Sequence, residues 1–276
     1  MPGTLWLVGT PIGNLADLPP RAREVLADAD LIAAEDTRRT GRLLKGLGIK
    51  KPMLSLHDAN ERERVGSILA ALREERSVAV VSDAGMPLVS DPGYRVVRAC
   101  IEEGIEVGVV PGPSAVLAAL VLSGLPTDRF SFEGFAPRKP GARSERLEAL
   151  RHDPRTLVFF ESPGRVKTLL RDVLVVLGDR PSALCRELTK LHEEVLRGRV
   201  SEVLAALDDD PKGEIVLVIG GAVERAAPDL DACVEEAVVL VEGGMKKREA
   251  ARAVAERHHV SANEVYEALV ADDEGA

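Results

Sequence analysis

Aromatic side chains are scarce: one Trp, two Tyr and five Phe make up 3% of 276 residues. That leaves little ring surface on which bases could stack. Cysteine is nearly missing as well. Cys100, Cys185 and Cys233 are odd in number and far apart, which argues against a disulfide framework or a Cys-type zinc site and leads to the expectation of a reducing, cytoplasmic setting. No apolar run reaches membrane-spanning length, and the first residues lack a basic stretch followed by a hydrophobic one, so neither a membrane anchor nor a leader is expected. Positive charge is also deficient. Lys and Arg total 36 against 45 Asp and Glu, a net −9, which argues against a protein that coats nucleic acid indiscriminately. Two phosphate-binding signatures are absent: no Lys follows the first glycine loop as a P-loop requires, and Gly-x-Gly-x-x-Gly does not occur.

What is present is an α/β pattern. Hydrophobic residues reach 45% with mean hydropathy near zero, and the length suits two domains, or two with an appendage. Leu5-Trp6-Leu7-Val8 is an apolar run of the kind buried on both faces of a parallel sheet. It runs into Gly9-Thr10-Pro11-Ile12-Gly13-Asn14, where the glycines let the backbone approach a guest. Short apolar runs at 31–34, 53–56, 78–81 and 107–110 alternate with amphipathic stretches. This predicts a parallel sheet covered by helices in an N-terminal domain, 1–123. Gly124-Leu125-Pro126-Thr127 reads as a connection. Strands at 130–133, 156–160, 182–186 and 215–219 then predict a second α/β domain, 124–225, of mixed strand direction. Residues 229–276 read as a helical tail, either helix-turn-helix-like or a plain helical cover, with Ser261 as an N-cap.

Ligands of open parallel sheets sit beyond the carboxyl ends of the strands. Four loops meet there: 9–14, 35–38, 82–93 and 111–115. Three are built from Gly, Pro, Ser and Asp, which offer main-chain hydrogen bonds to a polar cofactor. Glu35 follows Gly13 by the distance at which a ribose-binding carboxylate sits in a Rossmann unit. Three basic patches, at 38–51, 138–155 and 246–259, interrupt the acidic chain.

The segments Val8–Leu15, Ala34–Leu44, Val81–Gly93 and Pro111–Ala115 together resemble the tetrapyrrole methylase superfamily. Within it they resemble the branch that 2′-O-methylates a cytidine ribose of 16S rRNA. The likeness continues through Phe132–Phe135, Phe160–Pro163, Cys185–Lys190 and Lys212–Glu214 into the tail. It implies S-adenosylmethionine held in a cleft between two α/β domains of a homodimer. The matching cofactor positions are Pro11, Gly13, Asp83, Ala84, Gly85, Pro87, Ser114, Ala115, Glu161 and Glu214. Pro11-Ile12 and Asn14 depart from the Gly-x-Gly-Pro-Gly-Asp loop of tetrapyrrole-type members, which counts against tetrapyrrole C-methylation.

On this reading the reaction aligns a ribose hydroxyl with a methyl sulfonium and needs a group to take the proton. Glu35, Asp36, His57 and Glu187 are the candidates for that role, with Asp83, Glu161 and Lys190 nearby; no metal is expected. Arg38, Arg39, Arg42, Lys139, Lys190, Lys246, Lys247 and Arg248 are the expected RNA contacts. The expected partner is 16S rRNA within the 30S subunit, without membrane or DNA. Two rivals remain: a tetrapyrrole or diphthine-synthase-like methylase, and a non-catalytic cofactor-sensing module that binds nucleic acid through its tail. Residues 261–270 offer only Asn263 and two Glu at a recognition helix's start, which argues against DNA reading.

Overall fold

The computed structural model describes residues 3–222, 230–258 and 260–274. Its chain forms two compact units, Met1–Ala222 and Val223–Ala276. The expected boundary at 225–229 lies outside the described residues.

The first unit begins with β1 (Leu5–Val8), α1 (Pro20–Asp28), β2 (Leu31–Ala34), α2 (Thr37–Gly46) and β3 (Met53–Ser55). It continues through α3 (Glu61–Arg73), β4 (Val78–Val81), α4 (Tyr94–Glu102), β5 (Val107–Val110) and α5 (Ala115–Ser123). The five strands form one parallel sheet in the order β3-β2-β4-β1-β5. β4 is buried at every residue, as a strand covered on both faces must be. Trp6 pairs with Gly108 across β1 and β5. A Cβ at Gly108 would lie 2.5 Å from the Trp6 ring, so the glycine makes room for the chain's one tryptophan.

A second sheet follows within the same unit, from β6 (Phe130–Phe135), α6 (Pro140–Ala149), β7 (Thr156–Glu161) and α7 (Pro163–Val176) through β8 (Pro181–Arg186), β9 (Glu194–Arg199), α8 (Val200–Ala206) and β10 (Ile215–Ile219). Its order is β6-β7-β10-β8-β9. Only the β6–β7 pairing is parallel, so strand direction is mixed. β9 and α8 have no counterpart in the sequence reading. β9 is an edge strand, half exposed, and carries two arginines and a glutamate in six residues, so it offers no apolar run.

α5 is apolar on all sides, and its Val116, Ala119 and Leu120 pack against Val158, Cys185, Val216 and Val218 of the second sheet. A helix that precedes residue 124 in sequence therefore belongs to the second sheet's core. The second unit holds α9 (Leu230–Glu242), α10 (Lys247–His258) and α11 (Ala262–Glu274). They close on a core of their own that includes Ala237, Ala250, Ala251, Val254 and Val265, and Ser261 Oγ accepts the Glu264 N–H at 3.5 Å. No described helix is long and apolar enough to cross a membrane.

Candidate functional site

The loops after β1, β4 and β5 are locked to one another by their backbones. Thr10 and Gly85 exchange N–H···O bonds of 2.8 and 3.1 Å. A Cβ at Gly9 would lie 2.6 Å from the Gly112 backbone, so these two loops touch main chain to main chain. The far end of the 82–93 loop is pinned by Glu61, a buried carboxylate that accepts N–H groups from Gly93 (3.0 Å) and Arg95 (2.9 Å). Between the pins, Leu88 and Ser90 take left-handed φ values of 72° and 65°. Non-glycine residues hold such angles only where their surroundings over-determine them.

The second sheet supplies the facing rim: Glu161 and Ser162 at the end of β7, the 187–190 turn after β8, and Gly213-Glu214 ahead of β10. In the turn, Lys190 Nζ bridges Glu187 (2.8 Å) and Glu214 (3.1 Å), and Glu187 Oε1 also accepts the Glu214 N–H at 2.9 Å. Between the rims lies a cavity of about 460 Å³, within the usual range for a small-molecule site. One wall is apolar, with Ile12, Val116, Phe135, Phe160 and Val216. The rest is acidic: Glu35, Asp83, Asp91, Glu161 and Glu214 face a single cation, Arg39.

The carboxylates differ in how they are held. Asp83 accepts the Asp36 N–H at 3.1 Å and pairs with Arg39 at 3.2 Å. Glu35 accepts the Asp83 N–H at 3.1 Å, yet burial, the larger influence, raises its pKa. Burial first, and then the nearby charge of Glu35, pushes Asp91 up to about 7. Glu161 is buried, with Oε1 accepting the Ser162 N–H at 2.7 Å. Its Oε2 lies 3.1 Å from Arg165 Nη2 but accepts no hydrogen bond.

Of the four expected proton acceptors, only Glu35 lines the cavity. Asp36 caps α2, accepting the Arg38 N–H at 2.8 Å, and its hydrogen bonds to the Arg38 side chain hold it well below the usual carboxylate range. Glu187 is engaged by Lys190, which lowers its pKa. His57 is exposed and gives its carbonyl to the N–H groups of Asn60 and Glu61 at the start of α3. Asp91 lies in the 82–93 loop that the sequence singles out but is not among the expected site residues, because residue order alone does not show which acid of the loop the cavity takes in.

Among the expected cofactor positions, Asp83, Ala84, Gly85, Ser114, Ala115, Glu161 and Glu214 line the cavity, and Pro11, Gly13 and Pro87 do not. Gly13 is small for another reason than a guest. A Cβ there would lie 2.5 Å from Lys190 Cγ and 2.8 Å from the Leu188 carbonyl oxygen, so it seats the first rim against the second.

Among the expected RNA contacts, Arg38, Arg42 and Lys139 are exposed. Arg39 turns into the cavity and Lys190 is held in its acidic clasp. In the second unit Lys246 is exposed, Lys247 half-buried, and the Arg248 guanidinium lies 5.4 Å from the Tyr266 ring centre. The 138–155 patch is largely neutralised at home. Arg143, Arg146, Arg151 and Arg155 pair with Asp172, Glu133, Glu148 and Asp153.

Comparison with known proteins adds an independent line. The family model described as Tetrapyrrole (Corrin/Porphyrin) Methylases matches residues 4–204. Ribosomal RNA small subunit methyltransferase I of Thermotoga maritima is 51% identical over 79% of this chain and 99% of its own. The Escherichia coli protein of that name is 46% identical over 96% and 93% of the two chains. Among solved structures, uroporphyrin-III-C-methyltransferase from Thermus thermophilus is 26% identical, with a TM-score of 0.57 over 79% of this chain and 94% of its own. A structure of uroporphyrin-III C-methyltransferase from that organism complexed with S-adenyl homocysteine has a TM-score of 0.56 at 23% identity, over 78% and 97% of the two chains, a likeness of fold.

Proposed function

Because the chain belongs to the tetrapyrrole methylase family and is a methyltransferase, we propose that it methylates the RNA of the small ribosomal subunit with S-adenosylmethionine as donor. The site of transfer on this reading is the 2′-hydroxyl of a cytidine in 16S rRNA, and the enzyme works as a cytoplasmic homodimer on the 30S subunit. The substrate class is supported by the names of relatives 46–51% identical that are covered over nine-tenths or more of their own length. The tetrapyrrole alternative has weaker support: the uroporphyrin methyltransferases are 23–26% identical, and Pro11-Ile12 stands where the tetrapyrrole-type loop differs.

The observation that carries the donor assignment is the charge of the cavity. Of the five lining carboxylates, three are paired with Arg39, Arg165 or Lys190, and Glu35 and Asp91 have no such pair among the described residues, so the excess of acid attracts a cation and repels phosphates. Bound there, S-adenosylmethionine supplies an electrophilic methyl group on a positively charged sulfur. The acidic wall holds such a cation better than the neutral thioether left after transfer, so the residues that bind the donor also favour release of the product. Glu161 Oε2, buried and accepting no hydrogen bond, suits an N–H or O–H of the ligand, because a buried acceptor left unmet costs about 1–3 kcal/mol. Asp83, Ala84, Gly85, Ser114, Ala115, Glu161 and Glu214 are the residues proposed to hold the donor.

RNA phosphates stay outside the acidic cavity. Arg38 and Arg42 on the exposed face of α2, with Arg39 at the cavity, are proposed to receive those flanking the target nucleotide. Lys139 and, in the second unit, Lys246, Lys247 and Arg248 add further contacts. A ribose must leave the stack to reach a buried methyl group, and the chain has few rings to help. A structured subunit, whose shape presents the nucleotide, is therefore the better substrate. The test incubates the protein with methyl-labelled donor and 30S subunits from cells lacking the modification. Label in an alkali-resistant dinucleotide of 16S rRNA is expected, whereas label on a base or a protein, or none, would overturn the reading.

A further inference from the structure

Resting on the reading above, we propose that Asp91 is the general base, taking the proton of the ribose 2′-hydroxyl as the methyl group is transferred. Each of the other cavity carboxylates already accepts a hydrogen bond or lies in an ion pair, although Glu161 Oε2 accepts none. Asp83 is fixed by Arg39 and the Asp36 N–H, and Glu214 by Lys190. Glu35 receives the Asp83 N–H, and Glu161 receives Ser162 with Arg165 beside it. Asp91 has neither an ion pair nor a backbone donor among the described residues; the Ser82 hydroxyl donates to the Ala84 and Gly85 carbonyls at 3.4 Å, and its pull on the Asp91 pKa is smaller than the effect of burial.

Its position is nonetheless rigid. It follows Ser90, which is held at a left-handed φ of 65°, and precedes Pro92, whose ring restricts the residue before it. Two residues on, Glu61 grips the Gly93 N–H at 3.0 Å, and at the loop's start Gly85 is bridged to Thr10. A carboxylate unpaired yet held by a clamped loop can meet an incoming hydroxyl without first breaking a salt bridge.

The surroundings tune it to the task. The charged groups that act on it most strongly are Glu35 from the end of β2, Asp83 from its own loop and Asp58 from the turn before α3, all acids. Arg39, the cavity's cation, is spent on Asp83. Burial and these like charges raise Asp91 to about 7 against the pull of Ser82, and a general base works best with a pKa near the operating pH. The step balances. The bond from O2′ to the methyl carbon forms as the carbon–sulfur bond breaks, the electron pair of that bond stays on sulfur, and the hydroxyl proton passes to Asp91. The neutral carboxylic acid then loses its proton to solvent.

The experiment measures kcat/KM of the full chain on 30S subunits between pH 5.5 and 9. For the unaltered protein it should rise about tenfold per pH unit below about 7 and level off above. Asp91→Asn should lose at least about 100-fold in activity and lose that rise, while donor affinity by calorimetry stays within about threefold, since the charge removed is one of five lining carboxylates. Glu35→Gln keeps an oxygen for the Asp83 N–H but removes a like charge, so the rise should move to lower pH. Asp91→Asn within tenfold of the unaltered protein overturns the assignment, and so does a rise left in place by Glu35→Gln. Should Asp91→Asn fail to bind donor, the shift in Glu35→Gln decides alone. A failure of the unaltered protein to label RNA would instead strike the parent reading.

Discussion

Replacing Gly13 by Ala separates two accounts of why that residue is small. Without a steric obstacle the change would stabilise the protein, since Ala narrows the unfolded ensemble by about 0.4–1 kcal/mol. The structure reverses the sign. The added Cβ would sit 2.8 Å from the Leu188 carbonyl oxygen, where ordinary contact begins at 3.4 Å, so the rims must part by about 0.6 Å in an interior packed without slack. Lys190 Cγ, at 2.5 Å, can swing away, but only by straining its bridge to Glu187 and Glu214. Overpacking of this kind costs about 1–3 kcal/mol, or roughly 2–12 °C in Tm for a unit of this size. The assay is thermal unfolding without donor or RNA, beside donor affinity by calorimetry. Stability should fall in the ligand-free protein, and donor binding should weaken because Leu188 lines the cavity. A Gly13→Ala protein as stable as its parent, with only donor binding impaired, would show that Gly13 makes room for the ligand and refute rim-to-rim packing.

Three further outcomes follow from the same contacts. Glu61→Ala strands the N–H groups of Gly93 and Arg95 and should cost roughly 2–4 kcal/mol in denaturant unfolding, whereas Glu61→Gln, which keeps the one oxygen that accepts both, should recover most of it; equal losses would mean the charge and not the acceptor matters. Arg42→Glu should weaken 30S binding and leave donor affinity alone, whereas Arg39→Glu, set beside Asp83, should weaken both; an intact donor affinity in Arg39→Glu would detach that residue from the cavity. Asp91 is raised in the folded protein from an ordinary 3.8 to about 7, so the folded state binds the extra proton and loses stability as pH climbs through that window. Asp91→Asn escapes this loss, and its Tm should exceed the parent's at pH 8 by a margin that disappears near pH 4; a margin independent of pH would contradict the shift.

Much of the fold could be read along the chain because its signals are local. The runs at β1, β4 and β10 are apolar and short, and the capping residues Asp36 and Ser114 stand at the helix starts their side chains serve. β9 escaped because an edge strand with arginines on it carries no such signal. α5 was readable as a helix, but not as part of the second sheet's core, since an apolar helix does not say which sheet it will cover.

The candidate site divides along the same line. Glycine- and aspartate-rich segments announced the loops at the strand ends, and the family resemblance pointed to Asp83, Gly85 and Ser114 within them. Whether an acid is a cap, a salt-bridge partner or an unpaired group depends on what the fold sets beside it. Folding gave Asp36 to Arg38 and Glu187 to Lys190, and it left Asp91 beside Glu35 and Asp83 without an ion pair among the described residues. Residue type and spacing fix which side chains are available. Only the meeting of two sheet edges, through contacts between residues far apart in the chain, sets the burial and charge that decide what each of them does.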